Sequence, residues 1–74
     1  MKEQIKAILD KIILDEDYVN SEDLIDEGYI DSFDLVMLVN TLNKEFNIKI
    51  EMKDIEPSSF KSIQSIEDLV SKYK

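Results

Sequence analysis

One stretch of this chain, Gly28-Tyr29-Ile30-Asp31-Ser32-Phe33-Asp34, has residue types and spacing that could do chemistry. It puts a serine hydroxyl at the junction of a loop and a helix, with acids on both sides and apolar side chains around it. Such a hydroxyl either starts the helix or is held out as a handle for another enzyme to modify. It is not equipped to be a nucleophile in its own active site. The sequence has no histidine or cysteine, and all nine of its bases are lysine, so no imidazole is present to activate a serine. No lysine or carboxylate sits at a recognisable triad spacing. A phosphate-cradling glycine loop and a Cys/His zinc pattern are also missing. Among 17 acids no general acid and base pair can be singled out, so no catalytic residue is assigned and an enzyme is not expected.

The acidic stretch from Asp15 to Asp26 invites a calcium reading, with Asp15, Asp17, Ser21 and Asp23 at oxygen-ligand positions of a twelve-residue loop. The pattern then fails. Asn20 stands where the sharp turn needs glycine, Val19 takes a side-chain ligand position, and the final bidentate glutamate would be Asp26. No metal site is assigned.

The 74 residues form a single domain, 1–74, small enough that packing leaves a thin stability margin. Without cysteine there is no disulfide to reinforce it. The net charge of -8 argues against nucleic acid and against a polybasic contact with anionic lipid. It suits either a basic protein partner or a merely solubilising surface. The polar N-terminus lacks a signal peptide's apolar core, and no apolar run reaches membrane-spanning length. A cytoplasmic monomer with no stable membrane insertion is the expectation.

The elements that must position Ser32 are helical. Ile5, Ile8, Leu9, Ile12 and Ile13 recur at helical spacing and predict an amphipathic helix over roughly residues 3–15. A long loop follows to Asp31, pinned by Tyr18, Val19, Leu24, Ile25, Tyr29 and Ile30. A second helix runs from about Ser32 to Phe46, started by Asp31 or Ser32, with acids suited to its positive end and Asn47 as terminator. The segment 48–55 stops before Pro57 and holds at most a short helical turn. A last helix begins after Ser62 and turns Ile63, Ile66, Leu69, Val70 and Tyr73 inward. The fold class is all-α, a small bundle of three main helices plus one short one.

The second helix carries two stripes. Leu35, Leu38, Val39, Leu42 and Phe46 make the core face. Phe33, Val36 and Met37 begin another, continued by Asn40 and Lys44. One helix of so small a bundle rarely buries both. Either Phe33 and Val36 pack under the long loop, or they stay exposed beside Ser32 as a partner surface, which a flexible methionine would suit.

Taken together, these features resemble the acyl and peptidyl carrier proteins, small acidic four-helix domains that carry 4'-phosphopantetheine. The likeness covers nearly the whole chain and centres on Asp31-Ser32-Phe33, a variant of the family's Asp-Ser-Leu signature preceded closely by glycine. It implies that Ser32 receives phosphopantetheine from coenzyme A through a phosphopantetheinyl transferase. Asp31 would then support the modification, while Phe33, Asp34, Val36 and Met37 would dock partners. It further implies a thioester cargo, supplied by an acyl- or aminoacyl-activating ligase and consumed by a transferase or synthase. With no cysteine in the chain, the added thiol would be the only one.

The docking stripe departs from that of fatty-acid carriers, which usually hold acids at the positions of Met37 and beyond. Here it reads Phe33, Val36, Met37, Asn40, Thr41, Lys44, more apolar and less charged. The loop Asp26–Phe33 looks closest to free-standing carriers of activated amino acids, such as the D-alanyl carriers. A housekeeping fatty-acid carrier is the alternative within the family. In a different class, an unmodified acidic helical module would bind a basic partner with no covalent change at Ser32.

Overall fold

A computed structural model describes residues Met1–Lys74. Three α-helices, α1 (Lys2–Ile12), α2 (Ser32–Phe46) and α3 (Ile63–Tyr73), are joined by segments holding three short 3₁₀ turns at Glu16–Asn20, Met52–Asp54 and Pro57–Phe60. Helix α1 packs against both α2 and α3, and the Pro57–Phe60 turn packs on α3. No helix is long and apolar enough to cross a membrane.

Periodicity explains the packing. Ile5, Ile8 and Leu9 of α1, Leu38, Val39, Leu42 and Phe46 of α2, and Ile66, Leu69 and Val70 of α3 all face one core. Leu35, Ile63 and Tyr73 border it half-buried. No polar or charged side chain is buried, so the association of the helices rests on apolar burial.

The fourth helix expected from the sequence takes the form of 3₁₀ turns, because Glu56 and Pro57 break the segment into pieces too short for an α-helix. Helix α1 also stops sooner than its apolar spacing suggests. Ile13 turns extended, with φ -105° and ψ 115°, and Asp15 then caps the 3₁₀ turn by accepting the Asp17 N–H at 3.0 Å. Leu14 is left 92% exposed between them. Tyr18 anchors the turn as a buried side chain, but Val19 points outward and does not help pin the loop.

The Tyr18 hydroxyl donates to Asp10 Oδ1 at 2.5 Å and so ties this turn back to α1. At the other end of the molecule, Tyr73 Oη donates to Asp54 and accepts the Glu51 N–H at 3.1 Å. Lys72 pairs with Asp54 at 3.1 Å, so the C-terminus of α3 holds the Met52–Asp54 turn in place.

Candidate attachment site

The loop leading to Ser32 is built by its own acids. Glu27 Oε2 accepts the Ser21 hydroxyl at 2.7 Å and the N–H groups of Glu22 and Asp23 at 2.9 and 3.2 Å. These bonds, led by the Ser21 hydroxyl, hold the Glu27 carboxyl below its usual range. Asp23 Oδ1 accepts from the N–H groups of Ile25 and Asp26. Of the acids that suggested a calcium loop, Asp15 and Asp23 thus serve as local acceptors that fix the backbone.

Gly28 follows with φ +85°, a left-handed turn that glycine adopts without a Cβ penalty. The chain then doubles back, and Tyr29 and Ile30 both donate N–H groups to the Leu24 carbonyl at 2.9 and 3.1 Å. Leu24 in turn donates to the Lys61 carbonyl at 2.7 Å, which fastens the loop to the segment before α3.

Ile30 is buried immediately before the helix, and Leu35 lies half-buried five residues on. This is the spacing of a hydrophobic staple, which sets the angle at which the chain enters α2. Asp31 is the N-cap. Its Oδ1 accepts the Asp34 N–H at 2.9 Å, and Asp34 Oδ2 accepts the Asp31 N–H at 3.4 Å, closing a reciprocal capping box. Of the two starters the sequence allows, Asp31 does the capping. Ser32 is the first helical residue, exposed, and its hydroxyl takes part in no hydrogen bond. The N–H groups of Ser32 and Phe33 have no backbone acceptor, as the first donors of a helix do not.

The stripe beside Ser32 is open. Phe33 is 73% exposed, Val36 59% and Met37 42%, so none of them is packed away under the loop. Around α2, at about 100° per residue, Ser32 and Val36 lie toward one flank, Phe33 lies near the outward centre and Met37 toward the flank of α1.

A family model described as a phosphopantetheine attachment site matches residues 3–71. The chain belongs to this family. None of the curated proteins matches the chain. Members of the phosphopantetheine-binding family hold 4'-phosphopantetheine covalently, and as carrier proteins they meet a phosphopantetheinyl transferase and partner enzymes. The residues present fit such a group. An unbonded hydroxyl stands in solvent at the positive end of a 15-residue helix. Two free N–H groups beside it favour a phosphodiester's negative charge. Asp31 and Asp34 would oppose that charge and keep it turned toward solvent.

The sequence made the hydroxyl, the two acids and the second stripe visible, and it left open whether that stripe is exposed. It missed the reciprocal box, although the Asp-x-x-Asp spacing at 31 and 34 carried that signal. It also missed Glu27 as the hub of the loop, since nothing in its local sequence marks one acid among many as a threefold acceptor.

Proposed function

We propose that Ser32 is the serine that takes 4'-phosphopantetheine, and that residues 1–74 act as one carrier domain for an acyl or aminoacyl thioester. The observation that carries this reading is the division of labour at the start of α2. Asp31 performs the capping, which leaves the adjacent hydroxyl free and exposed on a rigid helix end. Ser32 Oγ would give up its proton and attack the phosphorus that bears the pantetheine arm of coenzyme A, breaking the pyrophosphate P–O bond and releasing adenosine 3',5'-bisphosphate, so that the oxygen becomes the ester oxygen of a phosphodiester. The bound arm supplies a thiol, which a chain without cysteine does not have.

In this reading Asp31 supports the modifying reaction and Asp34 assists recognition. Phe33, Val36 and Met37 form the contact patch for a ligase that loads the cargo and a transferase or synthase that removes it. Their exposed apolar surface supports partners whose matching patch is less basic than that facing a fatty-acid carrier. It thus favours the discrete aminoacyl-type carriers over the housekeeping fatty-acid type.

The test is intact-mass spectrometry after incubation with coenzyme A, magnesium and a broad-specificity phosphopantetheinyl transferase. The parent chain should gain one phosphopantetheine and Ser32→Ala none. A folded, unmodified parent that gains no mass would sink the proposal. An interaction module would instead tolerate Ser32→Ala and lose its partner on Val36→Asp.

A further inference from the structure

A groove runs between α1 and α2 on the flank away from Ser32. Ala7, Ile8, Ile12 and Met37 floor it, and two acids, Glu3 and Glu45, line it with a single base, Lys11. Counting about 100° per residue, Met37 lies about 140° around α2 from Ser32, and Thr41 on the groove wall about 180°. We infer that this groove is a second docking site, for an amphipathic helix of a protein partner that presents an apolar anchor to the floor and a basic side chain to Glu3 or Glu45.

Charge selects the occupant. Glu45 sits in the last turn of α2, where a carboxylate opposes the negative end of the helix dipole, and it has no ion-pair or hydrogen-bond partner within the chain. Glu3 meets only the terminal ammonium, at 3.7 Å, and is itself 94% exposed. A partner's arginine or lysine beside either acid supplies the missing charge. A second copy of this chain would bring another net charge of -8 to the contact, and an anionic membrane would be repelled in the same way. A chain attached at Ser32 would have to cross the outer face of α2, past Phe33, to reach the floor.

The groove shares Met37 and Thr41 with the stripe that starts beside Ser32, so a helix seated in it leaves Ser32, Phe33 and Val36 uncovered. The carrier could then be held by one protein while a second works at the Ser32 face. This inference does not depend on Ser32 being modified, and it is tested on the unmodified chain.

The probe is a synthetic amphipathic helix with leucine on one face and arginine at its borders, titrated into ¹⁵N-labelled protein. The amides of Ala7, Ile8, Ile12 and Thr41 should shift most. Ala7→Arg and Glu45→Lys, both at exposed positions, should each weaken binding by about tenfold, and Ser32→Ala by less than about twofold. Should Ala7→Arg disturb the fold, Glu45→Lys decides alone. Shifts centred on Phe33 and Val36 or spread over the acids of residues 15–27, or affinity unchanged in Glu45→Lys, would overturn the proposal.

Discussion

Replacing Asp31 and Ser32 one at a time separates the fold from its handle. Asp31→Ala deletes both halves of the capping box, since Oδ1 no longer accepts the Asp34 N–H and Asp34 loses its reason to reach back. Loss of a cap of this kind costs about 0.5–2 kcal/mol. Removing one of 17 acids from a chain of net charge -8 returns a little by relieving repulsion, so about 1 kcal/mol is expected. For a domain of this size that lowers the melting temperature by about 4–8 °C. Ser32→Ala removes a hydroxyl with no hydrogen bond and puts a better helix former in the first turn, so its midpoint should stay within about 2 °C of the parent. Asp31→Asn keeps the cap but drops the charge. It should therefore melt like the parent while accepting phosphopantetheine more slowly, if the carboxylate supports the transferase. Circular dichroism melts and a time course of intact mass on the same three variants read both effects. If Ser32→Ala melted as early as Asp31→Ala, the hydroxyl would be structural and the reasoning would fail.

Leu38→Ala should cost about 2–5 kcal/mol because the side chain is fully buried, a large part of the total of about 4–11 kcal/mol available to 74 residues. Met37→Ala should cost about 1 kcal/mol or less, and equal losses in urea titrations would mean the two stripes of α2 are misassigned. Sodium chloride should raise the melting temperature by screening the excess of acids, and a flat titration would refute that repulsion costs stability. Acid should act in two stages. From neutral pH toward the isoelectric point near 4.3, falling net charge should hold or raise stability. Below about pH 4 stability should drop, because Asp10, Glu27 and Asp54 are held below the usual carboxylate range, chiefly by the hydroxyls of Tyr18, Ser21 and Tyr73. A carboxyl lowered in the folded state stabilises above its unfolded pKa, and that stabilisation is lost as pH falls through the folded value. Urea midpoints flat from pH 4 to 2 would contradict this.

Helix α2 could be read from sequence to its bounds because three signals agreed there. Apolar spacing marked its face, acids marked its start, and Asn47 marked its end, where it adopts the left-handed conformation with φ 54°. Helix α1 was overread by three residues. Ile13 continues the periodicity and is buried, yet it is extended, so burial alone imitates a helical signal. The 3₁₀ turns stayed hidden because pieces of three to five residues have no period to detect. At the site, residue types revealed the hydroxyl and a second apolar stripe, whose exposure the sequence left open. The free state of the hydroxyl depends on which of the two residues caps, and that is decided by side-chain geometry rather than by residue type.

The phenol–carboxylate contacts at Tyr18 and Tyr73 give the molecule a built-in optical reporter. The chain has no tryptophan and three tyrosines, so on excitation at wavelengths that phenylalanine does not absorb its emission comes from those three rings alone. Two of them donate to aspartates at opposite seams, Tyr18 where the first turn meets α1 and Tyr73 where the last helix meets the Met52–Asp54 turn. A carboxylate that accepts a phenol's proton in the excited state dims its emission. The native protein should therefore be dark at both seams and brighten as either one parts. Replacing Tyr73 with phenylalanine leaves Tyr18 as the only hydrogen-bonded emitter, so the first seam can be timed separately from the last without attaching a dye.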